Sequence, residues 1–324
     1  MRFIQRSAAI LLLLLGGAHA GAHAEPYPQG PVTVVVPFTA GGGSDNVARL
    51  ISDRLSARLG QPFVVDNKPG ASTNLGNELV ARARPDGRTL LLGQVTLSIN
   101  PTLMPGLKYD VMRDYVGVAH IGDAPVVLVT STDFPARDLP SLVRYVREHP
   151  GKTNFASGGV GTSVHLAGEL FKARAGVDML HIPYRGSTQM VTDLIGGQIH
   201  MIFNTAPSVV QFVKAGKLRA IAVSGARRLD ELPDVPTFAE AGMPDFDAPS
   251  WYGLMAPAGT APEVVERLNA TVEDILREPA VRAALTRIGV EPVGGGVPAF
   301  AAFLRAQQKM WGDVIRTAHV KIDN

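Results

Sequence analysis

The sequence predicts an α/β fold of two lobes, each a mainly parallel sheet flanked by helices, with a cleft between them. Three observations carry this. Strand-like apolar runs alternate with helix-periodic segments along nearly the whole chain. A length of 324 residues falls in the range of two domains. A stretch rich in Pro, Asp and Gly, 227–249, separates one late strand from the series before it, as a return to the first lobe would. The expected organisation is a signal segment at 1–24, one lobe from 25–124 with 251–324, and the other from 125–250.

The elements follow in order. Val32 to Val36 is a β-branched strand closed by Pro37, then comes a glycine-rich turn and a helix from Asn46 to Leu59 with Val47, Leu50, Ile51, Leu55 and Leu59 on one face. Phe63 to Val65, Ala71 to Ala83 and Thr89 to Leu92 repeat strand, helix, strand. The second lobe runs through strand Val126 to Thr130, helix Leu139 to Glu148, strand Asn154 to Ala156, helix Val164 to Ala175 and strand Leu180 to Ile182. Helix Thr188 to Ile195, strand Ile199 to Phe203, helix Val209 to Ala215 and strand Leu218 to Val223 complete it. Trp251 to Met255 is the returning strand. Helices from Pro262 to Leu276, Ala280 to Arg287 and Pro298 to Ala318 close the chain, and Pro262, Pro279 and Pro298 suit a first turn, where a missing N–H costs nothing.

The first 24 residues read differently. Arg2 and Arg6 precede an apolar run from Ala8 to Leu15 and a small-x-small end at Ala22-His23-Ala24, the pattern of a cleavable secretory signal, with cleavage after Ala24 or, alternatively, Ala20. The run is too short to span a bilayer. Without Arg2 and Arg6 the 31 basic residues fall into balance with the 29 acidic ones, so the pI of about 8.9 implies no basic patch and no nucleic-acid partner. The absence of cysteine excludes lipidation at Cys, disulfides, thiolate catalysis and Cys-ligated zinc.

Two loops carry anion-binding chemistry. Helix N-termini present unpaired N–H groups and partial positive charge, so a glycine-rich strand-to-helix loop can hold an anion without a cationic side chain. The first is Gly41-Gly42-Gly43-Ser44-Asp45, with Phe38 as a candidate apolar wall. The second is Ser157-Gly158-Gly159-Val160-Gly161-Thr162-Ser163, leading into His165. In each, a hydroxyl or carboxylate (Ser44 or Asp45, Thr162 or Ser163) also fits a plain helix cap. Tyr184, Asn204-Thr205 and the segment Thr96-Leu97-Ser98-Ile99-Asn100-Pro101 follow strands and add polar groups where a cleft ligand would sit.

Enzyme motifs fail on spacing. The first loop lacks the third glycine of a dinucleotide fingerprint, and Val146 stands where a P-loop ending Gly151-Lys152-Thr153 needs glycine. Gly161-Thr162-Ser163-Val164-His165 ends in His where a nucleophile elbow needs Gly. Of His165, His181 and His200, only His165, with Glu169, has a carboxylate or His at i+3 or i+4, and one such pair makes no site.

Together these residues resemble the tripartite tricarboxylate transporter substrate-binding proteins, the Bug family of periplasmic receptors. The marks are Pro37-Phe38-Thr39-Ala40-Gly41-Gly42-Gly43-Ser44-Asp45, Asp66-Asn67-Lys68-Pro69-Gly70, Arg84-Pro85-Asp86-Gly87-Arg88-Thr89-Leu90 and Gly161-Thr162-Ser163-Val164-His165. His181-Ile182-Pro183-Tyr184-Arg185-Gly186, Leu232-Pro233-Asp234-Val235-Pro236-Thr237 and Trp251-Tyr252-Gly253-Leu254 continue the series over nearly all the mature chain. The resemblance implies a type II-like periplasmic binding protein fold that closes on a carboxylate, without catalysis or cofactor, and delivers it to the subunits of an integral membrane permease. It implies ligand contacts from Phe38, Gly41, Gly42, Asp45, Ser157, Thr162, Ser163, His165, Tyr184 and Asn204, to which the reading above adds Thr96 and Ser98. Three departures stand out: Leu97 where the family often has His, Gln189-Met190 for Pro-Ala, and Asn204 for Asp. Losing an acid beside the pocket eases binding of a second negative group or a neutral tail. The expected protein is thus a monomeric periplasmic receptor for a di- or tricarboxylate, an amino acid or an aromatic acid. The alternatives are a ligand sensor for a membrane kinase and a secreted hydrolase using Ser163 and His165.

Overall fold

The computed structural model describes residues 27–317 apart from positions 105, 245, 247 and 249; the signal segment with its cleavage site, and the end of the last helix expected at Ala318, lie outside these. The chain begins with β1 (Val32–Val36), α1 (Gly43–Leu59), β2 (Phe63–Asn67), a 3₁₀ turn at Ala71–Thr73, α2 (Asn74–Ala81) and β3 (Thr89–Gln94). Then come α3 (Thr96–Leu103), α4 (Val111–Asp114), β4 (Tyr115–Ala124) and β5 (Val126–Ser131). There follow α5 (Leu139–Glu148), β6 (Asn154–Ser157), α6 (Ser163–Ala175), β7 (Leu180–Pro183), α7 (Ser187–Ile195), β8 (Met201–Thr205), α8 (Ala206–Lys214) and β9 (Leu218–Val223). The chain ends with β10 (Ser250–Pro257), α9 (Pro262–Arg277), α10 (Pro279–Arg287), β11 (Glu291–Pro292) and α11 (Val297–Thr317).

These elements build two α/β units. One is a six-stranded sheet in the order β11-β4-β10-β3-β1-β2, the other a five-stranded sheet in the order β7-β6-β8-β5-β9. The chain crosses between them at Pro125, linking β4 to β5, and again between β9 and β10. The expectation of mainly parallel sheets is corrected: both are mixed. β1 pairs in parallel with β2 and β3, and β6 with β7 and β8, but β10 runs antiparallel to β3 and β4, and β5 antiparallel to β8 and β9. The crossing strands enter each sheet against its βαβ series, which is why the antiparallel pairs gather around them.

Local chemistry explains most boundaries. The Val-rich β1 is buried along nearly its whole length, as a strand covered by helices on both faces must be. α1 stops where Gly60 adopts φ 71°, returning its N–H to the Ser56 carbonyl. α5 starts in a reciprocal cap between Asp138 and Ser141. Two expectations needed revision. The segment from Thr96, expected only to add polar groups after the third strand, is the helix α3, and α1 begins at Gly43, three residues before the expected Asn46. Each sheet carries apolar clusters on both faces: Tyr252 and Val34 in one and Trp251 and Val35 in another for the first unit, Phe155 and Phe203 in one and Val127 and Ile202 in another for the second. Among the described residues no helix is long and apolar enough to cross a membrane.

Candidate functional site

Both glycine loops end strands whose next element is a helix, and they face each other across the seam between the units. Gly41 and Gly161 sit at φ 77° and 79°, a region open mainly to glycine, so each loop turns sharply enough to aim the following helix start inward. The units are in direct contact here. Gly43 N–H donates to Ser208 Oγ at 3.2 Å, Thr188 Oγ1 to the Ala40 carbonyl at 3.1 Å, and Tyr252 OH to Thr205 Oγ1 at 3.2 Å.

Between the loops lies a cavity of about 30 Å³, room for about two waters. Its wall is drawn from the starts of five helices. Gly42, Gly43 and Ser44 come from α1, Thr96 from α3, Thr162, Ser163 and Val164 from α6, Ser187 from α7, and Thr205 and Ser208 from α8. Each start follows the carboxyl end of a strand, so five sets of N-terminal N–H groups and five positive dipole ends converge on one point. Among the described residues no Lys, Arg, Asp or Glu lines the cavity. The positive potential is therefore carried by backbone, with hydroxyls and amides as further hydrogen-bonding groups.

Polar side chains in the wall have unmet capacity. Asn204 is 3% exposed, and its Oδ1 accepts from Thr205 N–H at 2.9 Å, which leaves Nδ2 buried with no partner among the described residues. A buried amide donor without an acceptor is uncommon in a folded protein and marks a place for one. The Ser163 hydroxyl, 5% exposed, likewise makes no hydrogen bond among the described residues.

The sequence-predicted residues divide into two groups. Phe38, Gly42, Thr96, Thr162, Ser163 and Asn204 line the cavity. Gly41, Asp45, Ser98, Ser157, His165 and Tyr184 do not, and most of them support the loops from behind. Asp45 does not cap α1, whose N-cap is Gly42. Its carboxylate instead accepts from Gly41 N–H at 2.9 Å, from Arg49 at 2.8 Å and from Asn67 at 3.0 Å. Burial alone would raise the Asp45 carboxyl, but these donors together hold it below the usual carboxylate value. Thr162 does cap α6, accepting from His165 N–H at 3.3 Å while donating to the Gly159 carbonyl at 2.7 Å. Ser157 Oγ accepts from Gly159 N–H and lies 2.7 Å from His181 Nε2.

His165 faces inward. Its Nδ1 accepts from Gly161 N–H at 3.2 Å, and its ring lies 4.1 Å from that of His181. Burial, reinforced by neighbouring cationic groups, pushes His165 down to about 3 and His181 to about 4, so both are neutral at pH 7. A ring fixed in this way cannot serve Ser163 as a general base, which removes the hydrolase reading. Tyr184 is turned aside, donating to Asp193 at 2.7 Å. Ser98 is buried within α3.

Sequence reasoning missed Gln94, Ser187 and Ser208 in the wall. Ser187 and Ser208 had a signal, since Gly186-Ser187 and Thr205-Ala206-Pro207-Ser208 each read as a helix start after a strand. Gln94 had none: its amide reaches Ser44 Oγ at 2.6 Å only because β3 lies beside β1.

Residues 47–320 match the tripartite tricarboxylate transporter family receptor model. A protein from Pseudomonas sp. (strain P51), of the tcbD-tcbE intergenic region, is 40% identical over 95% of this chain and 92% of its own length. Among solved structures, R. palustris Rpa4515 with adipate superposes with a TM-score of 0.89 at 35% identity, covering 91% of this chain and 99% of that one. MatC (Rpa3494) from Rhodopseudomonas palustris with bound malate gives 0.85 at 34% identity, covering 89% and 100%.

Proposed function

The chain belongs to the tripartite tricarboxylate transporter family of receptors, and from that premise we propose that it captures a small carboxylate between two lobes and hands it to a membrane permease. Residues 25–124 with 251–324 act as one lobe and 125–250 as the other, joined by the two crossovers. The leading 24 residues direct export to the periplasm.

The observation that carries the reading is the convergence of five helix starts on a cavity that, among the described residues, has no charged side chain and has an unpartnered amide donor, Asn204 Nδ2. An anion placed there gains peptide N–H donors already held in position, at no cost in reorganisation. A carboxylate fits this best, because its two oxygens can each accept from a different loop. The uncharged Asn204 adds no repulsion, so a ligand bearing a second acidic group is tolerated. The adipate and malate seen with the two Rhodopseudomonas proteins make dicarboxylates the first class to test.

The lobes lie close enough to leave only about 30 Å³ between the loops, so they must part to admit a metabolite and re-form around it by hinge motion. A melting screen across dicarboxylates, tricarboxylates, acidic amino acids and aromatic acids tests the reading. A ligand at one hundred times its dissociation constant stabilises by about 2.7 kcal/mol, a shift that is easily measured. If no acid in the panel raises the melting temperature, and none gives heat in calorimetry, the receptor reading is wrong.

A further inference from the structure

Behind the cleft, where the two crossovers pass, lies a second and larger cavity of about 510 Å³. It shares no lining residue with the anion site. Its volume falls within the range that holds small organic ligands. One side is built from the six-stranded unit: the end of β4, the start of β10, α10, β11 and α11. The other is the loop 224–231 that follows β9.

The chemistry of the wall is specific. Trp251 and Phe303, edge to face at 5.9 Å, form an aromatic corner, extended by Val290, Pro292 and Leu229. Three residues of the wall have buried polar atoms without partners among the described residues: the Ser250 hydroxyl, the Trp251 indole N–H and the Gln307 amide oxygen. Most charges of the wall are already paired. Arg227 binds Glu291 at 2.5 Å, Arg228 binds Glu240 at 2.8 Å, Asp123 sits 2.9 Å from His120, and Glu231 is joined to Lys214. Asp230 shares Arg227 with Glu291 at 3.5 Å, and Arg282, exposed on α10, has no carboxylate partner among the described residues, which leaves its guanidinium open to an acid group.

From this juxtaposition we propose that the hinge-side cavity is a second binding site, taking a compact organic anion with an aromatic body. The ring rests in the Trp251–Phe303 corner and its acid group meets Arg282. The wall combines both units, tied by the Arg227–Glu291 ion pair, so its shape varies with the angle between them. An occupant therefore biases the opening of the cleft, and a cleft ligand biases this site by the same factor.

The test uses the full mature chain with ¹⁵N-labelled indoles and benzoate as probe. The chain has two tryptophans, so Trp311→Phe assigns the Trp251 signal. Benzoate should shift that signal saturably, and benzyl alcohol, which lacks the charge, should do so far less. Arg282→Gln, an exposed change that leaves the core intact, should raise the half-saturating concentration by about tenfold, the loss expected for one charge-assisted hydrogen bond. Asn204→Leu, which alters the front cleft, should leave the benzoate curve in place. The proposal is overturned if the Trp251 signal never shifts saturably, if Arg282→Gln titrates like the parent chain, or if Asn204→Leu alone abolishes the response.

Discussion

Gly186→Ala isolates closure of the cleft from every other property of the protein. Gly186 has φ 172°, an extended backbone that alanine adopts freely, so the substitution strains nothing within its own segment. What it meets is the opposite unit. A Cβ at position 186 would lie 2.0 Å from Thr39 Oγ1, 3.0 Å from Thr39 Cβ and 3.2 Å from Thr39 Cγ2, so rotating the threonine cannot relieve it. The units must part at this point. Two contacts beside it, Thr188 Oγ1 to the Ala40 carbonyl at 3.1 Å and Gly43 N–H to Ser208 Oγ at 3.2 Å, are already near the long end for hydrogen bonds and break first. At about 1 kcal/mol net for each, the closed form loses about 2 kcal/mol. Ligand affinity, which depends on the closed fraction, should fall about 30-fold. Melting of the ligand-free chain should move by less than about 4 °C, because neither core is touched. Calorimetry with the best acid from the screen measures the first effect and thermal melting the second. Removing Thr39 Oγ1 and Cγ2 in the double variant Thr39→Ala, Gly186→Ala should restore most of the affinity. Unchanged affinity in Gly186→Ala, or no recovery in the double variant, would refute the claim that close approach of these two residues seals the site.

The remaining predictions concern the wall and its support. Asn204→Asp places a carboxylate in the cavity; at about 4 Å and an effective dielectric near 20, repulsion of about 4 kcal/mol should weaken acid binding about 10³-fold at pH 7, with partial recovery on acidification, as titration calorimetry at two pH values would show. Ser163→Ala removes an unengaged hydroxyl and should cost about tenfold in affinity with no change in melting temperature. His165 and His181 are held down at about 3 and 4, below the ordinary 6.5, so the unfolded chain takes up more protons as pH falls. Their contribution is complete above about pH 6.5 and is lost progressively toward pH 4 and 3; melting temperatures across that window should fall, and less steeply in His165→Gln. Asp45→Asn removes the anchor of the first loop and should destabilise by about 1–3 kcal/mol in urea unfolding, while weakening ligand binding through disorder at Gly41.

Most of the architecture was legible because its signals are local. A run of valines, a proline at a first helical turn and a glycine after a last one each decide a conformation with near neighbours alone, and α5 and β9 fall where their sequences place them. β4 escaped notice because Gly117 and Gly122 break the alternation of its apolar residues, and it is held as a strand by pairing with β10, far along the chain. The same division governs the site. Glycine loops and hydroxyls before helices announce themselves. Whether a polar side chain faces the cavity or the scaffold depends on partners brought together only by folding. Asp45 finds Asn67 across the β1–β2 pairing, and His165 finds His181 across β6 and β7. Asp45 and His165 were expected to meet a ligand, and the contacts they make hold the loops in shape.

The uncharged wall of the cleft has one more consequence. Peptide dipoles do not titrate, and Asp45 and His165, which flank the two loops, do not line the cavity, the carboxyl held below its usual value and the imidazole pushed down to about 3. A receptor built in this way grips its acid with the same strength in mildly acidic or mildly alkaline surroundings, as long as the ligand itself stays ionised and the scaffold stays folded. For a receptor of this family acting as proposed, in surroundings over which the cell has little command, capture would then track the abundance of the acid rather than the acidity of the water carrying it.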